Sequence, residues 1–299
     1  MRSINTPKGE ISFPTYIPVT TFGSKYPLDA LIQPYFPRIA SAVMVSYHYA
    51  RQMETPPRLP LMVDSGGFAC LFDGSQVEAD QGLGCLLIQQ AKGFEQLTPW
   101  EVLDFQEKHA DIAFTLDFPI PPKTEAQERE KRHALTIANA LWALRNRRRK
   151  EMRLYAVIQG WDLESIAECA THYKDQGFDG VALGGMVPRV KNRKLVLKCI
   201  QTVREILPDL PLHVLGLGHP EFLKELFEAG VDSVDSSSYV KAAADGMHWA
   251  RGEKIDCQLN TDRLFCAIEN LAFVQSKTFP LMKMMNAFKP KLPNVYEEL

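Results

Sequence analysis

Eight short apolar runs recur along the chain, and longer amphipathic segments separate most of them. Gly, Pro or Ser residues bound the runs, which lie at residues 16–19, 43–46, 61–64, 112–117, 154–159, 180–183, 213–217 and 233–236. Such runs are typical of buried strands, and strands that alternate with helices favour a parallel sheet. We therefore predict an α/β fold, a single (β/α)8 TIM barrel, with an open doubly wound sheet as the alternative.

Helical patterns fill most of the intervals between these runs. We predict helices at 123–148, 163–176, 194–206 and 220–229, with Asp162 and His219-Pro220 at helix starts and Gly177 and Gly230 at helix ends. An N-terminal hairpin is expected to begin around 11–15. We assign residues 1–251 to the barrel and its hairpin, and 252–299 to a short helical extension.

The charge balance limits the classes of partner. The chain of 299 residues carries 34 Lys and Arg against 36 Asp and Glu, a formal net charge of −2. This excludes nucleic-acid binding by bulk positive charge but permits a local basic patch. The six cysteines form no CxxC pair, which favours reduced thiols. We expect no signal peptide, no membrane span and a cytoplasmic location.

Polar residues cluster where the predicted strands end. Asp64, Asp117, Gln159 and Asp235 each follow an apolar run, and glycines follow two further runs at 184–185 and 216–218. One such Asp is often only a helix cap, but active sites of barrels lie at this end of the strands. The set predicts an enzyme with carboxylate chemistry.

Two chemistries suit three carboxylates and an amide. One carboxylate can attack a sugar carbon while a second manages protons, and the others read a flat heterocycle. Alternatively, three Asp can bind a divalent metal in a barrel hydrolase. His48 also follows a strand, but it stands alone and is interpreted as structural.

The motifs themselves resemble those of the tRNA-guanine transglycosylase family over most of the chain. The matching segments are TPKGE (6–10), SYH (46–48), DSGGF (64–68), LD (116–117), IQG (158–160), GFDG with GG (177–180 and 184–185), GLGHPE (216–221) and GVDSVD (230–235). DSGGF is the most specific of these motifs. The resemblance implies a TIM barrel that exchanges guanine in a nucleic acid for a 7-deazaguanine.

The resemblance also implies roles for particular residues. Asp235 matches the nucleophile that attacks C1′ of the target nucleotide, and Asp64 matches the acid/base. The implied substrate-binding residues are Ser65, Gly66, Phe68, Asp117, Gln159, Gly184, Gly185 and Leu215, with Phe68 and Leu215 on the two faces of the base. No cofactor is implied, because one glycosidic bond replaces another. The target nucleotide must leave its stack to reach such a pocket.

Departures from the family pattern bear on the substrate and the metal. The tRNA enzymes carry a CxCxxC…His zinc site, but here no CxCxxC occurs and Glu269 stands in the position of the His. We therefore predict no metal. One Arg that the tRNA enzymes use on RNA becomes Lys241, and another becomes Ala244. These changes favour the DNA-acting, DpdA-type branch over tRNA; a tRNA enzyme and a non-catalytic paralogue remain alternatives.

Basic residues near the predicted strand ends are candidates for phosphate contacts. They are Arg189, Lys191, Arg193, Lys194, Lys241 and Arg251. The basic segment 145–153 is instead expected at the opposite, bottom face, where it ends a helix.

The implied partners are DNA or tRNA, with DNA favoured, a free 7-deazaguanine base, a second copy in a homodimer, and a protein that opens the DNA duplex.

Overall fold

Eight parallel strands form the centre of the molecule. The computed structural model describes residues 2–21, 27–53 and 55–276. The strands are β1 Ser3–Thr6, β2 Gly9–Ser12, β3 Thr15–Pro18, β4 Val43–Ser46, β5 Leu61–Asp64, β6 Gln76–Asp80, β7 Leu83–Gln90, β8 Gly93–Leu97, β9 Ile112–Phe114, β10 Arg153–Ile158, β11 Gly180–Leu183, β12 Leu212–Val214, β13 Ser233–Ser236, β14 Met247–His248 and β15 Glu253–Lys254.

Helices connect most of these strands. They are α1 Pro27–Ile32, α2 Phe36–Ile39, α3 Tyr47–Ala50, α4 Pro99–His109, α5 Ala126–Asn146, α6 Leu163–Tyr173, α7 Arg193–Ile206, α8 Pro220–Glu228, α9 Ser238–Ala244 and α10 Asn260–Ser276, with 3-10 turns at Gln33–Tyr35, Gly67–Leu71 and Val187–Arg189. None of the helices in the described ranges is long and apolar enough to cross a membrane.

The barrel is an eight-stranded sheet in the order β3-β13-β12-β11-β10-β9-β5-β4. Every adjacent pair is parallel. One parallel bridge between Val19 and Met44 joins the two ends of this order, and the Thr20 amide donates to the Met44 carbonyl at 2.9 Å. The sheet is thus nearly closed, and the predicted TIM-barrel-like fold is confirmed.

The predicted helix boundaries have visible causes. Asp162 forms a capping box with Ser165 at the start of α6, and Pro220 occupies the first turn of α8. Gly230 follows α8 with φ +93°, a left-handed conformation that favours glycine. The hairpin lies earlier than predicted: β1 and β2 pair antiparallel over residues 3–12, and Thr15 already belongs to β3.

A three-stranded antiparallel sheet, β6-β7-β8, is inserted after β5 and was not predicted. Asn139 of α5 anchors it: Oδ1 accepts from the Gly84 amide at 2.8 Å, and Nδ2 donates to the carbonyls of Gly84 and Leu116. Because Leu116 precedes Asp117, the same side chain ties the inserted sheet to the loop that carries a site carboxylate.

Helix α10 packs on the barrel wall. Its Leu264, Leu271 and Val274 are buried in the same hydrophobic cluster as the barrel strands, and Gln275 donates to the Tyr16 carbonyl at 2.8 Å. The division of the chain at residues 251 and 252 remains a prediction; that point lies between β14 and β15, which pair with each other.

Candidate active site

A cavity of about 400 Å3 opens at the carboxyl ends of the barrel strands. Its lining contains eight of the ten predicted catalytic and base-binding residues: Asp64, Phe68, Asp117, Gln159, Gly184, Gly185, Leu215 and Asp235. The other two, Ser65 and Gly66, are buried and directly follow Asp64 in the chain. The structure therefore brings together side chains from five different strand ends.

Asp235 lies on β13 and is 7% exposed. Its Oδ1 accepts a hydrogen bond from the Gly216 amide at 2.8 Å and contacts Nε2 of His213 at 2.9 Å. Within the described part of the chain, Oδ2 makes no hydrogen bond. One carboxylate oxygen is thus fixed, and the other is left for a ligand in the cavity.

His213 was not predicted as a site residue. It is fully buried, and its Nδ1 lies 2.7 Å from the Ser233 hydroxyl. Since a carboxylate oxygen only accepts, Nε2 of His213 donates to Oδ1 of Asp235, and in that tautomer Nδ1 accepts from the Ser233 hydroxyl. The signal in the sequence was a His inside an otherwise apolar strand; His213 pairs with Ser233, two residues before Asp235.

Burial and, to a lesser extent, the nearby carboxylates Asp117 and Asp235 together raise the pKa of Asp64 to about 7. The Gly66 amide donates to Oδ2 of Asp64 at 3.3 Å and partly opposes the effect. A carboxyl group with a pKa near neutrality can both hold and release a proton at physiological pH. This is the property that an acid/base residue needs.

Asp117 and Gln159 form one buried network. Oδ1 of Asp117 accepts from the Ser65 hydroxyl at 3.0 Å, and Oδ2 accepts from Nε2 of Gln159 at 2.7 Å. Burial raises the pKa of Asp117 to about 6, although both of these bonds lower it. Oε1 of Gln159 is buried without a partner among the described residues. It is therefore an acceptor available to a ligand.

Gly184 and Gly185 have no side chains, which leaves space for the side chain of Gln159. A Cβ at position 184 would lie 2.2 Å from Nε2 of Gln159, and one at 185 would lie 2.9 Å from Oε1. Gly185 also has φ +71°. Any larger residue here would displace the amide or strain the backbone, so the Gly-Gly pair is part of the wall of the cavity rather than a simple turn.

Phe68 and Leu215 lie on the cavity wall, as the stacking prediction requires. The Phe68 side chain is 61% exposed, whereas Leu215 is half-buried. A large aromatic ring this exposed at the mouth of a cavity is suited to stacking on a flat ligand. The stacking itself remains a prediction.

Arg189, a predicted phosphate contact, is largely buried, and its contact with a phosphate remains a prediction. It is 7% exposed, and its guanidinium donates to the carbonyls of Gly185, Ile120 and Gly160. Burial lowers its pKa. The side chain therefore fastens the loops that follow β9, β10 and β11, because each of the three carbonyls comes after one of these strands.

The other basic candidates are accessible. Lys191, Lys194, Lys241 and Arg251 are exposed, whereas Arg193 is half-buried and pairs with Glu225 at 2.9 Å and Glu221 at 3.5 Å. Lys191, Arg193 and Lys194 line a second, open cavity of about 560 Å3. Their contact with phosphates remains a prediction.

The basic segment 145–153 faces the opposite end of the barrel. Arg147 and Arg153 pair with Asp179, and Arg148 pairs with Asp104 and Glu107. Asp179 comes directly before β11, so these ion pairs surround the amino ends of the strands. Arg147, Arg148 and Arg153 are therefore engaged in ion pairs within the molecule.

The residues around Glu269 do not fit the zinc site of the tRNA enzymes. Glu269 pairs with Nε2 of buried His248, and the Cys266 thiol points to the Met247 carbonyl at 3.4 Å. In the part of the chain that the structure describes, no group of three or more His, Cys, Asp or Glu side chains could hold a metal ion. The prediction of no metal and no cofactor remains a prediction.

Known proteins resemble this chain over most of its length. The family described as Queuine tRNA-ribosyltransferase matches residues 40–279. The chain is 30% identical over 254 residues to the tRNA-guanine(15) transglycosylase of Methanosarcina barkeri, an alignment that covers 82% of this chain and 49% of that protein. It is 27% identical over 274 residues to the queuine tRNA-ribosyltransferase of Helicobacter pylori, covering 84% of this chain and 72% of that protein.

The chain thus spans about half the length of the archaeal relatives that it matches. The family match itself covers far more than half of this chain and includes Asp64, Asp117, Gln159 and Asp235. Motifs, barrel and cavity agree with that match, and the chain belongs to the Queuine tRNA-ribosyltransferase family.

Proposed function

We propose that this protein is a base-exchange transglycosylase that replaces guanine in a nucleic acid, with DNA favoured, by a 7-deazaguanine such as 7-cyano-7-deazaguanine. The observation that carries the proposal is the Asp235 carboxylate, which lines the cavity: its Oδ1 is held by Gly216 and His213, while Oδ2 has no hydrogen bond among the described residues. A fixed carboxylate with one free oxygen is suited to nucleophilic attack.

In the first step, Oδ2 of Asp235 attacks C1′ of the target nucleotide. The C1′–N9 bond breaks, its electron pair leaves with guanine, and a covalent aspartyl ester of the sugar remains. Protonated Asp64 supplies a proton to the leaving base, which its raised pKa allows near neutral pH. Guanine then leaves the cavity as a neutral molecule.

In the second step, the incoming 7-deazaguanine gives its N9 proton to the Asp64 carboxylate. Its N9 attacks C1′, the ester bond to Asp235 breaks, and the carboxylate is restored. The exchange needs no oxidant, no reductant and no nucleoside triphosphate. Asp64 thus returns to the protonated state in which the cycle began.

Other residues of the cavity lining recognise the base. The Asp117 carboxylate and the unpartnered Oε1 of Gln159 are acceptors for the N1–H and 2-amino groups of guanine. Phe68 and Leu215 cover the two ring faces. An incoming 7-deazaguanine presents the same polar edge, so one pocket serves both bases.

Weaker observations bear on which nucleic acid is the substrate. Lys241 and Ala244 stand where the tRNA enzymes carry arginines, which supports DNA. The names of the relatives, both tRNA-guanine and queuine tRNA enzymes, support tRNA as the second candidate. On the DNA proposal, a partner protein opens the duplex so that the target base can leave its stack.

The test is incorporation of labelled guanine into single-stranded DNA, double-stranded DNA and unmodified tRNA, with covalent trapping on a denaturing gel. Asp235→Asn should abolish both signals, while Asp209→Asn, a change at an exposed aspartate, should leave them unchanged. Label in DNA alone supports the DNA proposal, and label in single strands alone supports an opening partner. Label in tRNA alone contradicts the DNA proposal, and trapping by Asp235→Asn contradicts the assigned nucleophile.

If no nucleic acid is labelled or trapped, the chain is a non-catalytic member of its family.

A homodimer is also implied by the family resemblance. Light scattering during size-exclusion chromatography would test it, and a monomeric mass over the concentrations used for exchange would contradict it.

A further inference from the structure

A second exposed aromatic ring stands beside Phe68 at the mouth of the cavity. Phe72 is 54% exposed, and its ring lies edge-on to that of Phe68 with 6.2 Å between the centroids. Phe68 lines the cavity, whereas Phe72 does not. The two rings therefore form an apolar ridge that runs from the cavity onto the surrounding surface.

The backbone holds Phe72 in a defined position. It follows the 3-10 turn Gly67–Leu71, its amide donates to the Ala69 carbonyl at 3.1 Å, and its carbonyl accepts from the Ser75 amide at 3.0 Å. Inside the same turn, Cys70 and Ala69 are buried. The exposed ring is thus presented by a fixed loop, although nothing in the described chain covers it.

The charges around the mouth are uneven. Exposed Asp73 follows Phe72 directly, which disfavours a phosphate at this point. Exposed Lys191 and Lys194 lie after β11, three strands away from β5 around the barrel. Bases are therefore suited to the Phe72 side of the mouth, and the sugar-phosphate backbone to the lysine side.

On the proposed function, a target guanine must leave its stack to enter the cavity. Its neighbours then each lose a stacking face. Exposed aromatic side chains replace such faces in proteins that bind single strands, largely independently of base identity. We propose that Phe72 is the stacking platform for the nucleobase adjacent to the target nucleotide, next to the target base on Phe68.

This inference rests on the proposed function, so the experiment measures binding separately from exchange. Short single-stranded DNA and RNA oligonucleotides with one guanine would be titrated by fluorescence anisotropy. Each would be compared with versions that are abasic at the 5′ or the 3′ neighbour of that guanine. The protein variants are Phe72→Ala, Phe72→Leu and Phe72→Trp, with Phe94→Ala as the matched control, since Phe94 is 51% exposed on β8 and does not line the cavity.

We expect Phe72→Ala to weaken binding of the oligonucleotide by roughly 5- to 150-fold, the range for loss of one base–aromatic stack. Phe72→Leu should lose most of the same affinity despite its apolar side chain, and Phe72→Trp should retain it. Phe94→Ala should have no effect. The salt dependence should be the same in all variants, because no phosphate contact is removed.

The abasic oligonucleotides identify the contact. At one neighbour, removal of the base should weaken binding to the wild type but cause no further loss in Phe72→Ala. Equal losses with every oligonucleotide, full affinity in Phe72→Leu, or no wild-type binding to either polymer would overturn the platform. If the abasic coupling is found but no guanine is exchanged, the platform stands and the proposed reaction fails.

Discussion

The two ends of the barrel use aspartate in opposite ways. At the amino ends, Asp111, Asp179 and Asp232 come directly before β9, β11 and β13, and each accepts a backbone amide of a neighbouring strand. Each also pairs with cations: Asp111 with Lys8, Asp179 with Arg147 and Arg153, and Asp232 with Arg2 and Arg204. At the carboxyl ends, Asp64, Asp117 and Asp235 share one cavity and have no Lys or Arg partner among the described residues.

This difference separates stability from function within one residue type. Paired carboxylates at the amino ends join the strands, and breaking such a pair leaves a buried charge uncompensated. At the carboxyl ends, burial raises the pKa of both Asp64 and Asp117, and the neighbouring carboxylates Asp117 and Asp235 add to the rise at Asp64. Proteins commonly accept such a destabilised arrangement where chemistry requires it. Substitutions at the two ends should therefore have opposite effects.

The largest effect is expected for Asp64→Asn. It should lower the rate of guanine exchange by about 100- to 10,000-fold, because proton transfer to and from the base is lost. The same change should raise the free energy of unfolding at pH 8, since it removes an ionised carboxylate from a buried site that contains two more. Exchange kinetics and chemical denaturation would measure the two quantities. A variant that is both inactive and less stable than the wild type would contradict this contrast between the two ends of the barrel.

Asp179→Ala should show the reverse. It leaves Arg147, with a side chain only 8% exposed, without its carboxylate, and should lower the free energy of unfolding by about 3 to 5 kcal/mol. The kcat for exchange should stay within about twofold in the fraction that remains folded, because Asp179 is at the far end of β11. Urea denaturation and single-turnover exchange at low temperature would measure this; a large loss of kcat at unchanged stability would contradict it.

The raised pKa of Asp64 also makes the stability of the protein depend on pH. The folded-state pKa of Asp64 is raised from 3.8 to about 7, so the folded protein binds this proton more tightly than the unfolded chain. Its contribution to stability is present at low pH and is lost as the pH rises from about 4 to about 7. Asp64→Asn should gain roughly 1 to 4 kcal/mol relative to the wild type between pH 4 and pH 8. Equal stability curves for the two proteins would refute the raised pKa.

A smaller effect is expected for His213→Phe. The ring shape is kept, but the bond that orients Oδ1 of Asp235 is removed, so kcat should fall by roughly tenfold. The KM for the incoming base should not change, because His213 does not line the cavity. Ser233→Ala, which removes only the partner of Nδ1, serves as a milder control. A change in KM with constant kcat would show that His213 acts on base binding and not on the nucleophile.

Much of the site could be predicted because the sequence places it at repeated positions. Apolar runs mark all eight barrel strands, and the barrel brings the ends of those strands to one mouth, so Asp64, Asp117, Gln159 and Asp235 had to converge. Motif resemblance then assigned their roles. The roles themselves await the exchange and trapping experiments.

The remaining features depend on three-dimensional contacts that local patterns do not contain. A basic residue after a strand is usually solvated, but Arg189 folds back onto three carbonyls and becomes buried. His213 gains its importance from a neighbouring strand that is distant in sequence. The inserted sheet turns at Gly82 and Gly93, both at positive φ, but its strands lie outside the alternation of strand and helix that predicts the barrel.

The seam between β3 and β4 is the place where the barrel is expected to open most readily. Elsewhere in the barrel a ladder of hydrogen bonds joins each pair of strands. Here the two strands are joined by the Val19–Met44 bridge and by the hydrogen bond from the Thr20 amide to the Met44 carbonyl. Both Val19 and Met44 line the cavity. Local opening concentrates where few backbone bonds must break, so amide hydrogen exchange should be fastest among the barrel strands along this seam. Because Val19 and Met44 line the cavity, a base bound there should slow the hydrogen exchange of this seam.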